Sequence, residues 1–330
     1  MSLKLSSDTL FHYTTSFDRI KQILTDGFKP NYSLENFEFL FEEIENIKNH
    51  HFIPMVCFCD LPISNAKNHI ENYGKYAIGL SKEWGEVNGL NPVMYISRNS
   101  KVIKNFRYAY SKYAELDIEI EKEKNQLLDF KYEDLDKSFI AKLSKKYNIV
   151  ITKKYFEEAK SKLVRLICGE DFILGYSHTL NDLYDDLFYK NDIIKKRIHK
   201  LLLIANNAIK FILFLKPYSN KTKTIKYYDE KEWRFVPDVS KQLIECSNEV
   251  VKEIDEKGKK NSKLFQQEIN WMNRSTKNTL KFSPSDLRFI IVNDEDKNEL
   301  IEFLVNSKYK DHYLLNKFNI LTYSQIIKDL

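Results

Sequence analysis

The sequence predicts an α+β fold, and three observations carry that prediction. Short apolar runs with strand character cluster towards both ends of the 330-residue chain. Between about residues 98 and 212 proline vanishes, glycine thins to Gly169 and Gly175, and charged and apolar residues alternate at helical spacing. A composition of 43% hydrophobic and 14% aromatic residues supplies a packed core rather than a disordered chain. Strands near both ends then build one mixed sheet system with helices inserted between them. The core is expected over residues 1–97 and 211–330, and the helical insertion over 98–210.

Taken in order, residues 8–28 read as a strand followed by a helix. Thr14, Thr15 and Ser16 stand where an N-cap is wanted, and Gly27 falls where a left-handed C-cap is wanted. In residues 34–50, Phe37, Leu40, Phe41, Ile44 and Ile47 follow one helical face. "IPMVCFCDLP" reads as a strand ending at Asp60, "ISNAKNHIENYG" as a helix stopped by Gly74, "YAIGLSKEWG" as a strand closing on a turn, and "LNPVMYISR" as another strand. Within the insertion, "EIEKEKNQLLDF" suggests a helical hairpin. "LLLIANNAIKFILFL", residues 201–215, reads as a buried helix passing into a strand, since it is too short and too polar for a membrane span. Strand signals resume with "AIKFILFLKPY" and "KTIKYYDEKEWRFVPD". Residues 238–275 read as a charged excursion or exposed helix. "LRFIIVNDED" is a buried strand, a helix follows at 297–307, and "NILTYSQIIKDL" is a closing strand and helix.

Charge and composition narrow the function. No G-x-G-x-x-G or G-x-x-x-x-G-K loop is present, so a Rossmann or P-loop nucleotide site is not expected. Cys57 and Cys59 form C-x-C and no C-x-x-C pair exists, so no zinc or other metal site is expected. The first residues lack a signal-peptide pattern and no membrane segment is read, which leads to the expectation of a cytoplasmic protein with reduced cysteines. Net charge is +5, and it is concentrated in the middle: residues 96–220 carry 24 Lys/Arg against 17 Asp/Glu. That stretch offers a surface for a nucleic-acid acceptor, or simply solvated helix faces.

Three separated pieces carry candidate chemistry: "FHYT" (11–14), "VCFCDLPISNAKNHIENYG" (56–74) and "YYDEKEWRF" (227–235). The two-residue strand period puts His12 and Thr14 on one face of the first strand and Phe11 and Tyr13 on the other. It puts Glu232 and Arg234 on one face of the last, with Glu230 joining them if that strand begins early. A His and a Glu brought together can hold a ribose by its hydroxyls, and the Glu can stabilise positive charge at an anomeric carbon. Structural roles remain open for each: a core histidine, a Glu232 ion pair with Arg234 or a lysine, and a Tyr73 that covers apolar surface at a helix end.

"FHYT" followed by I-x-x-I-L-x-x-G-F resembles the opening of ADP-ribosyltransferases of the diphtheria-toxin and poly(ADP-ribose) polymerase branch, and of the DarT toxins. "FCDLPIS…ENYG" is similar to the strand-to-helix segment of the polymerase branch. The resemblance implies a split mixed or antiparallel β core with NAD as substrate. It implies that His12 and Thr14 bind the adenosine-side ribose and the nicotinamide amide, that Tyr73 stacks on nicotinamide, and that Glu232, in the E-x-E of "DEKEW", is the catalytic glutamate beside His12. Tyr13, Phe58, Ser64, Glu230 and Arg234 complete the implied nucleotide-contacting set. The sequence departs from that pattern where Cys57, or Phe58 on a shifted register, replaces the first nicotinamide tyrosine.

A second resemblance covers more of the chain. "CFCDLPIS…H…YGKYAIGLSKEWG…GLNPV-Y", "KPY…YYDEKEWRFVP" and "DLRFIIV" are similar to the AbiGi family of bacterial abortive-infection proteins, labelled an antitoxin in a two-gene system. It implies a phage-defence component with a cognate toxin or antitoxin partner. Two classes of function follow: an ADP-ribosyltransferase effector, or an inactive antitoxin or nucleotide-sensing binding module. A nuclease is a weaker third reading, because no Asp followed at a variable distance by E-x-K places Asp, Glu and Lys on a common strand pair.

Overall fold

The structure is a computed structural model, describing residues 7–42, 48–65, 67–167, 186–188, 210–224, 226–237, 244–259, 261–275 and 279–328. The chain divides into two compact units. The first comprises residues 1–103, 213–237 and 242–330; the second comprises 104–212 and 238–241.

The strands are β1 (Thr9–Thr14), β2 (Asn31–Asn36), β3 (His50–Cys59), β4 (Tyr76–Ser81), β5 (Asn91–Pro92), β6 (Met94–Ile96), β7 (Leu215–Pro217), β8 (Glu232–Phe235), β9 (Ile244–Glu245), β10 (Leu287–Val292) and β11 (Asn319–Thr322). Nine of them form a mixed sheet in the order β11-β10-β4-β1-β3-β8-β5, with β2 and β9 also pairing with β3. The β10–β11 pair is parallel, and the other pairs of this sheet are antiparallel. β6 and β7 make a separate parallel pair. The expected mixed sheet drawing on both ends of the chain is therefore present.

Alternation along these strands sends apolar side chains to two layers. Leu10, Phe58, Ile78, Leu80, Ile290 and Val292 pack with Ile20, Ile23 and Leu24 of helix Phe17–Asp26. On the other face Phe11, Cys59, Ala77 and Ile291 pack with Ile70 of helix Lys67–Tyr73 and Ile326 of helix Tyr323–Lys328. At about 25 cal/mol per Å² of apolar surface removed from water, such two-sided burial is the main stabilising term for a sheet.

Two glycines hold the first strand in place. Gly27 ends helix Phe17–Asp26 with φ +92° and donates its N–H to the Ile23 carbonyl at 2.8 Å. Its ψ of −177° departs from the left-handed cap expected. Ser16 occupies the N-cap position without a side-chain cap bond. Gly74, with φ +116°, lies where any Cβ would run into the Thr14 carbonyl.

Several local expectations are corrected by tertiary pairing. The helix read over 34–50 is mostly strand and turn in its described part. Tyr32 and Leu34 alternate as buried residues of β2, which pairs along His50–Met55, and only Glu38–Phe41 is helical. Residues 43–47 lie outside the described residues. The partner strand β3 satisfies the β2 backbone, so Leu34, Glu35 and Asn36 are strand, and the helical spacing of Phe37, Leu40 and Phe41 is realised only in the single turn Glu38–Phe41. The turn expected after "YAIGLS" is helix Lys82–Val87, capped by Ser81 accepting from Trp84 N at 3.2 Å. "AIKFILFLKPY" yields a short 3-10 stretch, Lys210–Phe214, before the three residues of β7. Of the run at 201–215, residues 201–209 lie outside the described residues. Of the two readings of the charged 238–275 stretch, excursion or exposed helix, the helical one holds in Asn248–Lys257 and Lys263–Ser275.

The insertion is helical in its described part. Lys101–Asp129 is one 29-residue helix, not a hairpin within "EIEKEKNQLLDF". Helices Lys137–Tyr147 and Lys153–Ile167 follow. Asp136 caps the first by accepting from Ser138 N at 2.8 Å, and Asn148 closes it in the left-handed region. Leu135, Leu143, Ile151, Phe156, Ala159, Leu187 and Phe188 form the core of this unit. Among the described residues no helix is long and apolar enough to cross a membrane.

Candidate functional site

Strand β1 pairs with β4 along its whole length but meets β3 at a single position, Phe11 opposite Cys59. Beyond that point β1 and β3 stop pairing, and a cleft of about 560 Å³ opens there. His12, Tyr13, Phe58, Tyr73, Glu230 and Glu232 all line it. Cys57, His69, Lys216 and Glu35 line it too.

His12 closes the gap between the strands. Its Nδ1 lies 2.8 Å from the Cys57 carbonyl oxygen. A carbonyl only accepts, so Nδ1 carries the proton and Nε2 is left as the acceptor. Phe28 and Phe58 pack against the ring at 5.1 and 5.6 Å. Desolvation in this setting lowers the His12 pKa below its ordinary 6.5, outweighing the bond to Cys57 that raises it.

Across β3, Cys59 is opposite Glu232, and Cys57 is opposite Arg234. Phe11, Cys59 and Glu232 therefore stand in one row over three strands, with Phe11 and Glu232 about 10 Å apart at their backbones. His12 is one residue past Phe11, so its side chain leaves the sheet from the face opposite to that of Glu232. The two residues line one cleft from its two faces. A ligand touching both has to lie across the gap between β1 and β3.

The Glu232 side is a charge network. Arg234 is fully buried and spends its guanidinium on three acceptors: Glu232 Oε1 at 2.6 Å, the Leu213 carbonyl at 2.7 Å and Glu35 Oε2 at 2.8 Å. Lys216 Nζ lies 2.6 Å from Glu232 Oε2 and 3.2 Å from Glu230 Oε2. Lys216 takes one side of Oε2, and the second lone pair of that oxygen retains acceptor capacity. Glu232 is 7% exposed, and its backbone N–H donates to Tyr95 Oη at 2.9 Å. Burial alone would raise its pKa. The adjacent Arg234 and Lys216 charges overcome that and hold the carboxyl well below its usual range. Three carboxylates against two cations leave this end of the cleft with one surplus negative charge. Arg19, Lys29 and Lys259 line the cleft as well, Lys29 paired with Asp26 at 2.9 Å and Lys259 donating to the Leu34 carbonyl at 3.3 Å.

Aromatic rings make the wall beside the carboxylates. His69 stands 5.8 Å from the Tyr13 ring and 5.0 Å from the Tyr73 ring. Tyr73 donates its hydroxyl to Glu230 Oε1 at 3.3 Å. The Tyr13 hydroxyl is buried with no partner among the described residues, which makes it a donor available to a ligand.

Three expected site residues fall elsewhere. Thr14 is two residues further along β1 than His12, opposite Tyr76, and does not line the cleft. Ser64 is exposed in the 3-10 turn Ile63–Asn65. Arg234 lies beneath the cleft and supports it, because its strand position and its three acceptors bury it completely. Glu230 precedes β8 in the 3-10 turn Tyr227–Glu230, yet reaches the cleft. Sequence reasoning missed Lys216 and His69. His69 and Tyr73 are four apart on one helix and so share a face, a signal available in "HIENY". Among the described residues no cluster of His, Cys, Asp and Glu is arranged to hold a metal.

Comparison with known proteins now adds the family. Residues 27–293 match the family model described as "Putative abortive phage resistance protein AbiGi, antitoxin". The chain belongs to the AbiGi family. A curated AbiGi relative, the abortive phage resistance protein AbiGi of Lactococcus lactis subsp. cremoris, is 40% identical over 91 residues. That match spans 26% of this chain and 36% of the relative's length. No solved structure matches the chain. The AbiGi match takes in Cys57, His69, Lys216 and Glu232, while His12 precedes its first residue.

The half-buried histidines of the cleft set a pH dependence. A folded-state pKa below 6.5 means the unfolded chain binds more protons at His12 and His69, so stability rises with pH. It is fully present above about pH 6.5 and is lost as pH falls from there through the lowered folded values. Melting temperature is expected to drop between pH 7 and 5 by calorimetry, and His12→Asn is expected to flatten that slope. A melting temperature that rises on acidification over this window contradicts the assignment.

Proposed function

We propose that this AbiGi-family chain acts in abortive phage resistance through NAD-dependent ADP-ribosyl transfer in the cleft. The observation that carries the reading is the convergence of His12, Tyr73 and Glu232 on one cleft from three distant segments. The fit of a dinucleotide rests on the residues present. A volume of about 560 Å³ falls in the range that holds nucleotide-sized ligands. The surplus negative charge at Glu232 suits a cationic pyridinium ribose. Arg19, Lys29 and Lys259 in its lining bring positive charge that suits a pyrophosphate.

In this reading His12 Nε2 accepts a ribose hydroxyl, and Tyr13 donates its unpartnered hydroxyl. Tyr73 presents a flat face to an aromatic ring. Glu232 Oε2 accepts a hydroxyl of the nicotinamide-side ribose and stabilises the positive charge that develops at its anomeric carbon. Arg234 and Lys216 hold that carboxylate in place. A hydroxyl of a protein or nucleic acid is the acceptor, and the basic insertion is where a nucleic acid would dock; such docking weakens steeply with salt.

One observation favours a second reading, a nucleotide-sensing antitoxin that binds without transferring. Glu232 already neutralises parts of two cations, which leaves it less charge to offer a transition state. The family description names an antitoxin, and under either reading the partner is a cognate protein of a two-gene system. Incubating the purified chain with NAD separates them. Nicotinamide release by chromatography, with ADP-ribose adducts by mass spectrometry, is the result expected from transfer. A thermal shift with NAD but no released nicotinamide selects the sensor. Neither release nor a shift overturns both.

A further inference from the structure

The proposed transfer needs a proton acceptor, because the attacking hydroxyl must lose its proton. The cleft residues on the Glu232 face can be compared for that task. Glu35 and Glu232 accept from Arg234, and Glu230 accepts from Lys216 and Tyr73. Cys57 is open to the cleft, yet desolvation and the Glu232 charge push its thiol well above the ordinary range. Tyr13 and Tyr73 are raised as well, chiefly by desolvation. His12 has its free nitrogen, but its side chain leaves the sheet from the opposite face.

His69 is left. Its ring contacts Tyr13 from β1 at 5.8 Å and Tyr73 from its own helix at 5.0 Å. Neither ring nitrogen is hydrogen-bonded among the described residues. The charged groups acting on it are Glu232 from β8 and Lys216 from β7, with Glu230 next in line behind the Tyr73 hydroxyl. Burial lowers its pKa, and the opposing influences of Glu232 and Lys216 leave it below 6.5, so the ring is neutral and basic at pH 7.

We propose that His69 is the general base that takes the proton of the incoming acceptor hydroxyl. The inference rests on the ADP-ribosyl-transfer reading. The bond between the anomeric carbon and the pyridinium nitrogen breaks, and both its electrons leave with nicotinamide. The acceptor oxygen forms a bond to that carbon with a lone pair. Its proton passes to an unengaged His69 nitrogen and then to solvent, so the net reaction releases nicotinamide and one proton.

Water is the simplest acceptor, so NAD alone is the probe, and nicotinamide release is followed against pH. Wild type is expected to lose rate on the acid side through a pKa below 6.5. His69→Gln is expected to lower kcat about a hundredfold, with KM for NAD unchanged, and to change that acid limb to the one that His12 protonation alone contributes. Added imidazole is expected to restore part of the rate. His69→Asn repeats the test if the first variant melts early. Folded variants that keep both rate and acid limb overturn the proposal, as does a loss confined to KM, which marks His69 as wall only. Wild type that binds NAD without releasing nicotinamide overturns the transfer reading itself, and the role of His69 with it.

Discussion

Glu232→Gln is expected to lower nicotinamide release by about 10²- to 10³-fold and to cost stability at the same time. On the transfer proposed above, the rate effect follows from removing a preorganised charge at the point where positive charge would develop. The stability effect follows from the surroundings. An exposed ion pair would make the change cost about 0–1 kcal/mol, but this carboxylate is 7% exposed and lies 2.6 Å from both Arg234 Nε and Lys216 Nζ. Glutamine keeps an acceptor for Arg234 but turns a donor towards Lys216 and leaves two cations with less compensation. Breaking one side of a buried pair costs about 3–5 kcal/mol, and the retained hydrogen bond places this variant at the lower end. Melting temperature and turnover must therefore be read together. The double variant Glu232→Gln/Lys216→Met removes one cation with the anion, and is expected to regain stability without regaining turnover. A stable double variant with full activity rules Glu232 out of the chemistry.

Arg234→Lys is expected to be the most destabilising conservative change in the chain, by about 3–5 kcal/mol in a denaturant titration. The guanidinium serves Glu232, Glu35 and the Leu213 carbonyl at once, in a fork that an ammonium cannot reproduce. The loss is distributed over three segments: β8, β2 and the residues leading into β7. Nicotinamide release should fall further than stability alone explains, because Arg234 positions Glu232. A variant as stable as wild type shows that lysine and buried water replace the fork, and removes Arg234 as the support of the cleft.

Much of the local structure is legible in the residues themselves. The alternation in "FHYT" places Phe11 and Tyr13 on one side and His12 on the other, and the packing of Phe11 and the His12–Phe28 contact follow that alternation. The alternation in "EWRF" puts Glu232 and Arg234 on one face, and they are bonded there. The strand at Leu287–Val292 and the strand and helix that follow it come from short-range pattern, because their apolar residues occur at the period of the element they form.

Other features depend on which strand lies beside which. Leu34 and Glu35 sit in a segment with helical spacing, and become strand because β3 offers a partner ladder. Glu35 thereby reaches Arg234, 199 positions away. Lys216 belongs to a run whose spacing says only that it is apolar and extended; its place between Glu230 and Glu232 is set by how β7 and β8 are folded together.

The sequence by itself determined the α+β class, the helical middle, the side of each strand on which His12 and Glu232 stand, and the family motifs. It determined these because side-chain period and turn chemistry are local. Tertiary structure alone decided that β1 and β3 meet only at Phe11 and Cys59, that His12 and Glu232 enter the cleft from opposite faces, and that Glu232 is held by Arg234 and Lys216. Strand register, burial of charge and the gap between unpaired strands arise from contacts between distant segments, Glu35 and Arg234 being 199 positions apart, and no local period encodes them.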